Sequence, residues 1–284
     1  MSTTSFAATL AGESAGLVWL DYTPYVEQLL DERVRWLDVD AVIAWQRTAM
    51  SLIDSDVVGV DATAVLTAWI DAHPDLVEAM SAKRRTTAAL RTLFADEALR
   101  AHFADLIGSL RTALSGKVIA LVTAAPDALV TLAYRGAFGG SSPELDEDDI
   151  DSAAVYLADF LRTLSESGLD ALVVEEPESG DALTADRVDL YGPIVNVAAH
   201  YRWSLGYVTR SAPPQLAASL RPSFWITGVE LDDVATGVIV PEGFWADDAP
   251  PDPPVRGFLH SRIPPGSGPE KVLDRIAVLR GAVT

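Results

Sequence analysis

Apolar residues along this chain fall into two patterns that alternate with each other. Short unbroken runs of Val, Ile and Leu give way to longer stretches in which apolar positions recur every three or four residues. The first pattern is expected of parallel strands covered on both faces, the second of amphipathic helices laid over them. The runs are Leu17–Leu20, Asp56–Ala62, Val118–Val122, Ala171–Val174, Leu205–Val208, Phe224–Val229, Gly237–Val240 and Val255–His260, which makes eight strands. Pro24 suits a helix start, and Leu29, Leu30, Val34 and Leu37 follow it at helical spacing. Further helices are predicted at about 40–53, 63–72, 75–93, 146–166, 184–201 (interrupted by Gly192-Pro193) and 269–280, with one more carrying Leu99, Phe103, Leu106 and Leu110.

The stretch Lys117–Pro177 shows the repeating unit most plainly. K-V-I-A-L-V-T-A-A-P leads into Y-R-G-A-F-G-G-S-S-P, then a helical run to Gly168, then D-A-L-V-V-E-E-P. Ser142 and Pro143 supply cap chemistry for the helix that follows, and the acidic run Glu144–Asp151 falls on its first turns, where the helix dipole favours negative charge. Repetition of this strand–helix–strand unit predicts an α/β protein built as a single (β/α)8 TIM barrel with extra N-terminal helices. Residues 1–16 read as a mobile lead-in and 17–284 as one barrel domain, since no linker or composition shift divides the chain.

Charge and composition narrow the function. The 284 residues include 41 acidic and 21 basic side chains, for a formal charge of −20. Such a surface repels phosphate backbones and anionic lipid, so neither nucleic acid nor a membrane surface is an expected partner. With no cysteine, disulfides, thiolate nucleophiles and Cys-based zinc sites are excluded. No signal peptide and no run of 18 apolar residues is evident, so a cytoplasmic location is expected.

Candidate chemistry gathers at strand ends, because the carboxyl ends of barrel strands face the mouth where such folds place their sites. His260 closes the last run and can serve as acid or base. Asp21, Asp61 and the pair Glu175 and Glu176 close others; neighbours on a strand point to opposite sides, so only one of the two glutamates is expected at the mouth. Arg135, Arg210 and Arg262 are the candidate clamps for a carboxylate. His73, His102 and His200 lie in helical contexts and are read as packing or helix-end residues. Gly12-Glu13-Ser14-Ala15-Gly16 has the spacing of a nucleophile elbow but lacks the strand before it and the helix after it.

Several of these segments resemble one superfamily. A-A-P-D-A-L-V-T-L-A-Y-R-G-A-F-G-G-S-S (124–142) is similar to the strand end, aliphatic helix and glycine-serine loop of the uroporphyrinogen decarboxylases. L-S-E-S-G-L-D-A-L-V-V-E-E-P (164–177) resembles the acidic turn shared with the cobalamin-independent methionine synthases, and G-F-L-H-S-R-I-P-P-G-S-G-P-E-K-V (257–272) the closing strand of the decarboxylases. The resemblance spans roughly residues 17–280. It implies that His260 is the terminal active-site histidine and that Asp61 holds substrate N–H groups. It also implies a homodimer. The family's tyrosine aligns with Leu132, which makes Tyr134 the candidate hydroxyl donor. D-Y-T-P-Y (21–25) stands where the decarboxylases carry arginines, which implies a substrate other than uroporphyrinogen.

The expectation is therefore a lyase of decarboxylase type acting on a small or medium organic acid, with no metal or other cofactor. His260, Asp61 and Tyr134 are the expected catalytic residues; Arg262, Arg135, Glu175, Glu176, Arg210 and Asp21 are the expected binding residues. Methyl transfer and a non-catalytic binding barrel are the alternatives.

Overall fold

A computed structural model describes residues 6–11, 16–140, 142–176 and 183–282. Its eight strands are β1 (Leu17–Asp21), β2 (Val57–Asp61), β3 (Val118–Ala124), β4 (Ala171–Glu175), β5 (Ser204–Val208), β6 (Phe224–Thr227), β7 (Ala235–Ile239) and β8 (Gly257–Arg262). Neighbouring strands pair in parallel in the order β1-β8-β7-β6-β5-β4-β3-β2. The result is a nearly closed (β/α)8 barrel, as the hydrophobic runs predict. No helix among the described residues is long and apolar enough to cross a membrane.

Closure across β1 and β2 is made mostly by side chains. Asp56 N–H donates to Val18 O at 3.0 Å, while Asp56 Oδ2 accepts from Val18 N at 2.8 Å. Ser55 Oγ accepts from Leu20 N at 3.0 Å and donates to Val57 O at 2.8 Å. The backbone groups that a ninth neighbour would satisfy are thus paired without a full ladder. Arg280, from the last helix, also holds Asp56.

Alternation along each strand separates two apolar regions. Val18, Val60, Leu121, Val174, Tyr207, Trp225 and Leu259 face outward, into the layer shared with the helices. Trp19, Val57, Ala120, Val173, Phe224, Ile226 and Phe258 fill the barrel itself. Two inner positions are glycine because large rings lie across them. A Cβ on Gly206 would sit 2.2 Å from the Phe224 ring, and one on Gly237 would sit 2.5 Å from the Phe258 ring.

The helices are α1 (Phe6–Ala11), α2 (Thr23–Leu30), α3 (Val39–Leu52), α4 (Ala62–Ala72), α5 (Pro74–Ser81), α6 (Ala88–Ala95), α7 (Glu97–Ala113), α8 (Pro126–Phe138), α9 (Glu147–Leu161), α10 (Ala185–Asp189), α11 (Gly192–Tyr201) and α12 (Pro269–Ala282). Short acidic side chains begin several of them: Asp38, Asp61, Asp96 and Asp146 each accept from a backbone N–H in the first turn of α3, α4, α7 and α9. Asp146 therefore takes the capping role expected of Ser142, whose hydroxyl instead accepts from Arg135.

Three expectations change. The helical spacing that continues to Val34 and Leu37 is followed only as far as Leu30, where Asp31 turns left-handed at φ +50° and ends α2. The helix predicted over 75–93 is two, α5 and α6. The stretch 184–201 divides at Gly192-Pro193 as expected, because Pro193 has no N–H to continue a helix and starts α11 instead. Residues 6–11, expected within a mobile lead-in, form α1, whose Phe6 and Leu10 are buried in the barrel interior. The run Gly12–Ala15 lies outside the described residues. After β5 and β7 the connections carry only short 3-10 turns and the β6–β7 connection carries no helical turn, and Phe244 and Trp245, from the turn after β7, help fill the outer layer where helices are missing.

Candidate active site

The carboxyl ends of the strands surround a cavity of about 280 Å³. Parallel pairing puts residues of equal register on the same level, and alternation decides which of them look inward. On β8 the inward positions are Phe258, His260 and Arg262; on β1 they are Leu17, Trp19 and Asp21. Direct pairing of Asp21 with Arg262 in the β1–β8 register explains why Arg262 Nε donates to Asp21 Oδ2 at 2.7 Å. Asp61 ends β2 and Glu175 ends β4, and both line the same cavity.

His260 stands deeper in the opening than the carboxylates. Its ring meets that of Trp19 edge to face, with centroids 5.5 Å apart. Its Nδ1 is buried and has no hydrogen-bond partner. Burial pushes the imidazole pKa down to about 4, against a pull upward from Asp21 and a further push down from Arg262. The neutral ring is therefore the resting form at neutral pH.

Glu175 moves in the opposite sense. Desolvation raises its carboxyl above the usual range; Arg262 and Arg210 oppose the rise, and Asp21 and Asp61 add to it. Asp61 is raised as well, chiefly by desolvation, while two backbone N–H groups work against the change. Those donors, Thr63 N at 2.8 Å and Ala64 N at 3.1 Å, both reach Asp61 Oδ1 as the cap of α4. Asp61 thus has a structural task besides any chemical one.

Of the nine residues singled out in the sequence, the mouth gathers Asp21, Asp61, Glu175, His260 and Arg262. Arg210 lies just past the end of β5 and is exposed, close enough for its charge to act on Glu175. Glu176 points the other way. It accepts from Tyr191 Oη at 3.1 Å and lies 3.9 Å from Arg187, which in turn pairs with Asp127 at the start of α8. Tyr134 lies eight residues into α8, roughly 12 Å of helix rise away from the rim, with its ring 4.6 Å from that of Phe138. Arg135 is beside it, donating to Ser142 Oγ at 2.6 Å. Neither Tyr134 nor Arg135 lines the cavity.

Comparison with protein-family models finds no match, and comparison with curated proteins finds none either.

Three cavity residues escaped the sequence reading. Trp19 was hidden within an apolar run, although its odd position in L-V-W-L-D shares a face with Asp21. Trp36 comes from the irregular segment between α2 and α3, where Val34 and Leu37 keep a helical spacing that the chain does not follow beyond Leu30. Its carbonyl accepts from His102 Nε2 at 2.8 Å. Glu27 reaches the same segment, accepting from Val34 N at 2.9 Å. His73 donates through Nδ1 to Trp69 O at 2.7 Å and stacks on the same tryptophan, so it and His102 serve packing. Among the described residues no group of three or more His, Asp or Glu is arranged to hold a metal ion.

Chemically, the arrangement offers a carboxyl group held toward its protonated form, a neutral imidazole and a guanidinium at the rim, over walls that include Val173 and Ile226. Titratable pairs whose surroundings favour opposite protonation states are the signature of divided acid and base roles.

Proposed function

We propose that the barrel is a lyase of decarboxylase type acting on a small organic acid, with Glu175 as proton donor. One observation carries this reading: Glu175 and His260 project from opposite sides of the ring into a single cavity, with Arg262 at its rim. A cavity of about 280 Å³ suits a metabolite of modest size, at the small end of the range for ligand pockets.

In this reading Arg262 holds one substrate carboxylate. Its ion pair with Asp21 is open to water, with Arg262 55% exposed, and such pairs are weak enough to yield to a ligand. The departing carboxylate lies against Val173 and Ile226, where an apolar wall disfavours localised charge and favours release of neutral CO2. The C–C bond breaks, its electron pair enters a conjugated group of the substrate, and Glu175 then delivers a proton to the carbon. His260, uncharged, donates a hydrogen bond to the oxygen or nitrogen on which negative charge gathers. The division differs from the one expected from sequence, where His260 gave the proton: a ring with a pKa near 4 holds no surplus proton at neutral pH. Asp61, with one oxygen committed to α4, directs the other requirement, a substrate N–H or cationic group.

Kinship with the uroporphyrinogen decarboxylase and methionine synthase superfamily is part of this proposal and rests on the segment resemblances around 124–142, 164–177 and 257–272. Running the reaction in D2O tests the chemistry. One deuterium per turnover should appear at the carbon that lost CO2, and Glu175→Gln should slow its delivery more than it weakens substrate binding. Release of CO2 without that label would remove Glu175 as donor.

The second reading is a binding barrel without turnover. It is favoured by the partners already held inside the chain, since Asp61 caps α4 and Arg262 pairs with Asp21. Saturable binding of a small acid with no chemical change in it would support this alternative.

A further inference from the structure

An unbroken set of ring contacts joins the floor of the barrel to the histidine at its mouth. Phe6, on α1, meets Phe224 edge to face at 5.9 Å and Phe258 at 6.4 Å. Phe224 and Phe258 meet each other at 5.5 Å, and Phe258 meets Trp19 at 5.7 Å. Trp19 meets His260 at 5.5 Å. Relative exposures are 4% for Phe6, 0% for Phe224, 1% for Phe258 and 3% for Trp19, so water reaches none of these rings appreciably. Gly206 and Gly237 leave the space in which two of them lie.

Phe6 is the only ring of this set that does not come from a strand. Phe224 stands at the start of β6 and Phe258 near the start of β8, so Phe6 closes the end of the barrel opposite the mouth. We propose that Phe6 is a positioning residue for His260: as a plug in the barrel floor it fixes Phe258 and Trp19, and through them keeps the underside of the imidazole dry. This rests on the reading of the mouth as an acid–base site.

The physical argument is one of packing. Interiors at crystal-like density relax only in part when a side chain is cut back, and the remaining space is filled by movement of neighbours or by water. His260 Nδ1 is buried without a partner, so it is a polar atom ready to accept any water that enters. Water there solvates the imidazolium and removes the cause of its lowered pKa. The charged groups facing His260 are Arg262 on its own strand and Asp21 on β1, with Asp61 and Glu175 across the same cavity. None of them is altered by a change at Phe6, so a shift would report hydration and ring placement.

The test is an NMR pH titration of the histidine ring protons in Phe6→Ala, Phe6→Leu and the unaltered protein. The chain has four histidines, and His260 is assigned by the signal missing in His260→Gln. The unaltered protein should titrate His260 near 4, and Phe6→Leu, which keeps an apolar plug, close to that value. Phe6→Ala should move His260 upward toward the ordinary value of about 6.5, with His73, His102 and His200 unmoved. Should Phe6→Ala lose its cooperative melt, Leu10→Ala opens the same floor and must shift His260 in the same direction. A folded Phe6→Ala or Leu10→Ala with His260 unmoved overturns the inference, as does a shift in Phe6→Leu equal to that in Phe6→Ala. Because the readout needs no turnover, the plug can fail while Glu175 chemistry stands, and the reverse.

Discussion

Glu175 and Glu176 are adjacent in sequence and face opposite sides of the barrel wall, Glu175 into the cavity and Glu176 toward Tyr191 and Arg187. The strand's period of two makes this division unavoidable. It predicts different outcomes for the same change. Glu175→Gln should cut turnover roughly 100-fold or more and leave the melting temperature within a few degrees of the original. Glu176→Gln should retain turnover and lose about 1–2 kcal/mol of stability, because Arg187 and Tyr191 lose a charged partner in a half-buried network. Steady-state kinetics and urea unfolding on both variants check this.

The barrel seam depends on Ser55. Its hydroxyl is buried and bonded twice, from Leu20 N and to Val57 O. Ser55→Ala should cost about 1–3 kcal/mol, since it leaves a buried N–H unsatisfied between β1 and β2. Denaturant unfolding measures the loss, and hydrogen exchange should show Leu20 N–H becoming less protected.

Ring and glycine complementarity in the interior gives a second stability test. Gly237→Ala places a methyl 2.5 Å from the Phe258 ring, and overpacking of this kind costs about 1–3 kcal/mol. Gly257→Ala should be worse, because its φ of +126° disfavours any side chain and the new Cβ would lie 2.0 Å from Thr236 O. Gly140→Ala, at φ +70 with open space around it, supplies the comparison for backbone strain alone.

How much of this was legible in the sequence differs by element. Parallel strands covered on both faces leave unbroken β-branched runs, and V-V-G-V, V-I-A-L-V and A-L-V-V all became strands at the expected places. Strand ends were legible for the same reason, which is why Asp21, Asp61, Glu175, His260 and Arg262 come together. The missing helices after β5, β6 and β7 left a weaker trace, because Phe244 and Trp245 cover the wall from a short 3-10 turn that carries no period. Tyr134 and Arg135 lie outside the cavity because the helix that holds them runs away from the rim, a direction that the sequence around them does not record. Trp36 was out of reach altogether, since its carbonyl is held by His102, 66 residues away along the chain.

The lowered pKa of His260 has a consequence for stability. The unfolded chain binds a proton there below about 6.5, while the folded protein does not until about 4. Between those values the unfolded state holds more protons, so this residue makes stability fall as pH falls. His260→Gln should remove that part of the acid sensitivity, a difference of about 2 kcal/mol between pH 7 and 4 after allowance for the open side of the cavity. Glu175 acts with the opposite sign. Its raised carboxyl keeps a proton in the folded state that the unfolded chain has released, so its contribution is lost as pH rises through the folded value. Urea unfolding of the unaltered protein, His260→Gln and Glu175→Gln across this range separates the two.

The most direct measurement is the rate of CO2 release from a panel of small carboxylic acids, as a function of pH, for the unaltered protein, Glu175→Gln and His260→Gln. Glu175 must be protonated and His260 neutral, so the rate should fall above the raised Glu175 pKa and again below about 4. Each folded variant should lose roughly 100-fold or more. A rate unchanged in either variant, or no release from any acid that the protein binds in its mouth, would contradict the account.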